Sequence, residues 1–297
     1  MSKYHQAKKV FDQQQEDTNA ALKKLGEEKV KIWSSFDRFV TMYSKIRNPP
    51  TLSGTASAEE LTLNADELKN IKAVSISAQE LLAGGLESVS GGALIGLATS
   101  GGLVSSITVA STGTSISALS GAAASNATLA AFGGGSLASG GAGMAGGTVV
   151  LGGLTVAPML MIGGIALNSK GKKSLEAAKD IQHEVNTAVK QMEAAEVELK
   201  KVSGLSDQIL KELRKLHKKF AALMDEMEAI TDAKVNYLEF SIQEKKALEK
   251  TILSLKLLKY LSMQNILDDD EKHSVLEKEV SNTLKDCQKT YQEKLAA

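Results

Sequence analysis

Residues 88–169 read SVSGGALIGLATSGGLVSSITVASTGTSISALSGAAASNATLAAFGGGSLASGGAGMAGGTVVLGGLTVAPMLMIGGIALNS, and not one of them is Asp, Glu, Lys, Arg or His. The remainder of the 297-residue chain carries all 35 basic and all 35 acidic side chains. A charge-free segment of this length makes a membrane the first solvent to consider. It contains 19 Gly, 15 Ala and 13 Ser against 25 Val, Ile, Leu, Met or Phe, so it is uncharged but only moderately hydrophobic. It therefore suits either tight helix packing in a bilayer or burial inside a soluble protein.

Small side chains recur at every fourth position of this segment. One series runs from Ala122 to Gly146 and a second from Ala123 to Gly147, one residue further along. On a helix these series form two adjacent ridges, a flat face that a second backbone can approach closely. The spacing GxxxG also occurs at 92–96 and 143–147. The predicted helix-packing residues are Gly92, Gly96, Ala130, Gly134, Ala138, Gly143 and Gly147.

The length of the segment allows two to four membrane crossings. As a continuous helix it would extend about 120 Å at ~1.5 Å per residue, whereas a bilayer core takes about 20 residues per crossing. An even number keeps both charged flanks on one side, and a two-helix hairpin is the simplest case. We predict crossings near 89–110 and at 148–167, the second inserting Leu154, Leu160 and Ile165.

Two other structures remain open for parts of the segment. Residues 103–117 mix Val, Ile, Thr and Ser and could form a short β-hairpin. Gly133-Gly134-Gly135 could form a turn that splits the ridges. A flexible Gly/Ser linker is disfavoured, because such linkers do not carry 25 large apolar residues.

Residues 1–87 predict amphipathic helices. Apolar residues at three- and four-residue steps predict one helix over 3–47, and Pro49-Pro50 follows it. Ser57 and Glu60 have the spacing of a capping box, which predicts a second helix from about Ala58.

Residues 170–297 predict coiled-coil-like helices. Apolar residues from Ile181 to Ile230 alternate steps of four and three, with a predicted break at Ser203-Gly204. The rising apolar content of 237–267 predicts a helix buried on more than one face, and the acidic run 268–271 is predicted to cap a last helix. The predicted fold is all-α: an elongated helical bundle with coiled-coil-like helices around a central, membrane-inserting segment rich in Gly, Ala and Ser.

No catalytic, cofactor-binding or metal-binding pattern is recognisable in the sequence. The four histidines stand singly, and the glycine clusters lack the Lys-Ser/Thr of a phosphate-binding loop. Zero net charge and 4% aromatic residues argue against nucleic acid as a partner. We expect a non-enzymatic protein that needs no cofactor. The N-terminus has no apolar signal-peptide core, so synthesis in the cytosol and, where export occurs, a non-Sec route are expected.

The arrangement of amphipathic helices around a charge-poor apolar segment resembles the α-helical pore-forming toxins of the cytolysin A and haemolysin BL type. It is similar, more loosely, to apolipoprotein L. The resemblance is one of architecture over most of the chain, with Ser88–Ser169 in the place of the inserting element. It implies a soluble form that hides the apolar hairpin against a long bundle and releases it into a lipid membrane.

The expected function is therefore that of a pore-forming protein that inserts its central segment and oligomerises through small-residue packing. The expected partners are a lipid membrane and either further copies of the chain or a helical partner subunit. One alternative is a structural coiled-coil protein that buries a glycine-rich hairpin and binds a helical partner. Another is a coiled coil that is permanently anchored in a membrane.

Overall fold

The computed structural model describes residues 2–49, 63–85, 91–99, 175–268 and 274–296. Within these ranges the chain is almost entirely helical, which confirms the predicted all-α class. Two isolated bridges, Arg47 with Asn236 and Leu267 with Val275, are the only β-type pairings there. Six α-helices lie in the described ranges: α1 Ser2–Ser44, α2 Ala65–Ala83, α3 Gly91–Thr99, α4 Leu175–Ala233, α5 Ile242–Ser262 and α6 Glu277–Thr290.

Helices α1 and α4 form a parallel pair. Thr18 donates to the Leu199 carbonyl, Arg38 binds Asp225, and Lys45 binds Asp232, so residue numbers rise together along both helices. Between these ties the Phe220 ring lies 6.2 Å from the Phe36 ring. The helix predicted over 3–47 is confirmed over Ser2–Ser44, and its apolar stripe faces this interface and the shared core.

The predicted break at Ser203-Gly204 is wrong, because α4 runs through both residues without interruption. The heptad also continues in step: the buried residues Leu199, Val202, Ser206 and Ile209 follow one another at spacings of three, four and three. A serine at one core position interrupts the apolar pattern without changing its period. A single Gly in a helix costs only about 1 kcal/mol, too little to end a helix of 59 residues.

Helix α2 begins later than the sequence suggested. Its N-cap is Asn64, whose side chain accepts from the Glu67 amide at 2.8 Å while the Glu67 carboxylate accepts from the Asn64 amide at 3.0 Å. This reciprocal pair starts the helix at Ala65 instead of about Ala58. The predicted capping box at Ser57 and Glu60 lies outside the described residues.

Helix α5 is buried on several faces, as predicted, with Leu253, Leu255 and Leu258 among its core residues. It begins at Ile242 after a short 3-10 turn, Tyr237–Glu239, because Ser241 and Glu244 form its capping box.

The last helix, α6, is not capped by the acidic run as predicted, because its N-cap residue is Leu276. Leu267 pairs with Val275, and the Asp268 amide donates to the Ser274 carbonyl, so the helix starts only at Glu277. Residues 269–273 are not among those described. The α6 helix packs beside α4, where Lys215 lies 3.8 Å above the Tyr291 ring and Gln288 reaches Glu212.

Candidate docking site of the charge-free segment

Helix α3 belongs to the charge-free segment, and it is docked in the core of the bundle. Every side chain of 94–99 is buried, with Leu94, Leu97 and Ala98 fully enclosed. The helix lies against α1 and shares its hydrophobic cluster. The described part of the charge-free segment is therefore covered by the charged flanks.

A glycine in α1 allows this close docking. A Cβ atom at Gly26 would overlap the carbonyl oxygen and carbonyl carbon of Leu94, and would lie 3.1 Å from its Cα atom. The two backbones thus meet directly at this point. Any larger residue at position 26 would push α3 outward, since the obstacle is backbone and cannot rotate aside.

All four carbonyl groups at the end of α3 have hydrogen-bond partners. Such groups have no partner within their own helix and must find one elsewhere when they are buried. The Thr99 hydroxyl shares its one hydrogen between the Ile95 carbonyl at 3.0 Å and the Gly96 carbonyl at 3.3 Å, and the Ile266 amide donates to the Thr99 carbonyl at 2.9 Å. The Leu97 and Ala98 carbonyls both accept from Lys29 Nζ at 3.1 Å.

Lys29 is fully buried, with 0% of its surface exposed. Its Nζ atom makes a third, longer contact of 3.5 Å with the Gln264 carbonyl. Among the described residues it has no carboxylate partner, so burial lowers the pKa of Lys29 from its usual 10.5 to about 7. The oxygens around the amine are all helix-end or loop carbonyls, which suit a cation because a helix C-terminus carries partial negative charge.

Polar groups on either side of Lys29 attach α1 to the rest of the bundle. Glu28 accepts from Arg214 Nε at 3.2 Å and lies 3.6 Å from His217 Nδ1. One turn further along α1, the Trp33 indole donates to the Ser262 hydroxyl at 2.8 Å. The docking site is therefore bounded by α4 on one side and by the end of α5 on another.

The structure places only two of the predicted site residues, Gly92 and Gly96, both in α3. Gly96 is buried, and its carbonyl takes part in the helix end described above. The predicted crossing at 89–110 contains α3. The crossing at 148–167 and the alternative hairpin at 103–117 lie outside the described ranges. The remaining predicted site residues lie there too: Ala130, Gly134, Ala138, Gly143, Gly147, Leu154, Leu160 and Ile165.

Sequence reasoning missed Gly26 and Lys29. A signal for Lys29 was present: the apolar stripe Leu22, Leu25, Ile32 and Phe36 has a gap where a step of four after Leu25 would place position 29. A charged residue at an inward position of a regular stripe indicates a buried polar contact. Gly26 carried no comparable signal, because its role depends on a helix 65 or more residues away in the chain.

Within the described ranges, no helix combines the length and the apolar character needed to cross a bilayer. In the same part of the chain, His, Cys, Asp and Glu side chains form no group of three that could hold a metal ion.

Comparison of the chain with protein-family models, with curated proteins and with solved structures found no match.

Proposed function

We propose that the chain is a membrane-active, pore-forming protein that stores its charge-free segment against a helical bundle and releases it into a lipid bilayer. The observation that carries the proposal is the docking of α3. An apolar helix from the charge-free segment is covered by flanks that hold every charge of the chain. Exposure of α3 would present a hydrophobic surface, and such surfaces drive association with lipid or with other copies of the chain.

The small-residue ridges supply the second half of the proposal. Gly, Ser and Thr add little to the free energy of insertion, so the preference of the segment for a bilayer is small. Close packing of many copies through the ridges would then stabilise the inserted state. Such a balance suits a protein that changes from a soluble to an inserted form.

Dye release from liposomes tests this function directly. Purified protein is added to vesicles that contain a self-quenched dye, and the same samples are floated on a density gradient. We expect the protein to float with the vesicles and to release the dye. Absence of release at every lipid composition and pH would contradict the pore.

The docking of α3 also favours one competing function, a structural coiled-coil protein that keeps the segment buried and binds a helical partner. Flotation separates the two functions: a soluble oligomer that never floats supports the structural protein. A protein that enters the membrane fraction as soon as it is synthesised, and releases no dye, indicates a permanent anchor instead.

A further inference from the structure

The end of α3 is held by one side chain that reaches it through the core. We propose that Lys29 is a latch, which holds the first described helix of the charge-free segment on α1 and releases it as the surroundings become more acidic. The latch would provide the trigger for insertion, so its biological meaning rests on the proposed function. Its chemistry does not, since docking and release can be followed in water.

The contacts of Lys29 couple its hydration to the release of α3. Its Nζ atom binds two successive carbonyls of α3, those of Leu97 and Ala98, at 3.1 Å each. No solvent reaches the side chain while α3 is docked. When α3 leaves, Lys29 loses its partners and its cover in the same step, and the amine becomes hydrated.

The described contacts place charged groups of α4 and α5 beside Glu28 and Trp33, the neighbours of Lys29 on α1. Helix α3 contributes none, because residues 91–99 contain no titratable side chain. Helix α4 brings Arg214 and His217 to Glu28, the chain neighbour of Lys29. Helix α5 brings Lys259 to a small cavity beside Trp33, and the segment after it offers the Gln264 carbonyl.

The direction of the pH effect follows from the two states of the amine. In the docked state the pKa of Lys29 is about 7, and a hydrated lysine keeps its usual 10.5. Between these values release takes up a proton, so a fall in pH favours release. Below about 7 both states hold the proton and the dependence on pH levels off. The release equilibrium should therefore shift about tenfold between pH 8 and pH 6, most of it above pH 7.

Hydrogen exchange measured without membranes tests the latch. Protection factors for the amides of 95–99, corrected for the pH dependence of chemical exchange, are compared with those of α4 near Phe220. In the wild-type protein we expect the α3 amides to lose about tenfold in protection from pH 8 to pH 6, while the α4 amides do not change. Constant α3 protection would overturn the proposal.

Two variants separate Lys29 from its neighbours. Lys29→Met keeps a long unbranched side chain at the buried position but cannot titrate, so its α3 protection should not vary with pH. His217→Gln replaces the histidine that lies 3.6 Å from Glu28, and it should retain the wild-type response. A Lys29→Met variant that responds like wild type, or a His217→Gln variant that does not respond, would overturn the latch.

The same variants distinguish failure of the latch from failure of the proposed function. If protection of the α3 amides depends on pH but no dye is released at any pH, the latch is supported and the pore is contradicted. If dye release has the same pH dependence in the wild type and in Lys29→Met, the pore is supported and the latch is contradicted.

Discussion

Several polar residues are buried in α1 and α4, and three of them, Thr18, Lys29 and Ser206, differ in their hydrogen bonding. The Thr18 hydroxyl shares its one hydrogen between the Gln14 carbonyl of its own helix, at 2.7 Å, and the Leu199 carbonyl of α4, at 3.2 Å. Lys29 binds the end of α3. The hydroxyl of Ser206 is buried without a hydrogen-bond partner among the described residues. Buried polar groups on these two helices therefore range from fully hydrogen-bonded to unsatisfied.

This difference predicts opposite effects of removing two hydroxyls. Ser206→Ala should raise the free energy of unfolding by about 1 kcal/mol, because it deletes a buried group that has lost its water and gained no partner. Thr18→Val keeps the shape of the side chain but removes a hydrogen-bonded hydroxyl. It should lower the free energy of unfolding by about 1 kcal/mol. Urea denaturation followed by circular dichroism measures both. Destabilisation by Ser206→Ala would indicate a partner for the hydroxyl that the described contacts do not include.

Two glycines inside long helices provide a matched test of the α1–α3 contact. Alanine at Gly204 meets open space and should stabilise the protein by about 0.5–1 kcal/mol through helix propensity alone. Alanine at Gly26 gains the same propensity but collides with the Leu94 backbone, and should destabilise by about 1–3 kcal/mol. Equal stabilisation of both variants, measured by urea denaturation, would show that α3 does not lie against Gly26.

Among the helices, the α1–α4 pair is held by both ion pairs and aromatic packing. The two kinds of contact should contribute different amounts to the free energy of unfolding. Arg38 binds Asp225 and Glu228 at 2.6 Å, but 42% of its side chain is exposed and water competes for its charge. Phe220 is 1% exposed and contacts both Phe36 and Phe39. Burial rather than short polar distances should therefore dominate the association of these helices.

Substitution of the two residues measures this difference. Phe220→Ala should cost about 3–5 kcal/mol, since it leaves a cavity in a packed core. Arg38→Ala should cost about 1 kcal/mol or less, and its effect should shrink at high salt. The two variants are compared by urea denaturation at low and high ionic strength. A larger loss for Arg38→Ala would mean that the charge network holds the pair together.

The sequence predicted the helices that depend on long apolar stripes and failed at the starts of two other helices. Helices α1 and α4 followed from regular three- and four-residue steps. Ser57–Glu60 and Asn64–Glu67 both have capping-box spacing, so the sequence alone could not choose the start of α2. The acidic run at 268–271 suits a helix N-terminus, yet the pairing of Leu267 with Val275 delays α6. At α2 one local signal competes with another, and at α6 a short-range backbone pairing overrides the local signal.

For the molecule as a whole, the decisive property is the separation of charge. Both flanks contribute to one hydrophobic core, and α3 enters that core from the charge-free segment. Apolar burial and a few buried hydrogen bonds hold α3 in this core. The rest of the segment has the small-residue composition that favours close helix packing in lipid.

The last prediction separates membrane binding from pore assembly. Replacing Ala130, Gly134 and Ala138 together with Leu makes the segment more hydrophobic, so binding to liposomes should persist or increase. On a helix the same leucines fill the face that a neighbouring backbone must approach, so dye release should be lost. A matched control places three leucines off the ridges, at Ala124, Thr128 and Ser136, and should keep the dye release. Flotation and leakage are measured on the same vesicles. Full leakage by the ridge variant would mean that the four-residue spacing reflects composition alone, because a close-packed assembly cannot accommodate a leucine at every contact of that face.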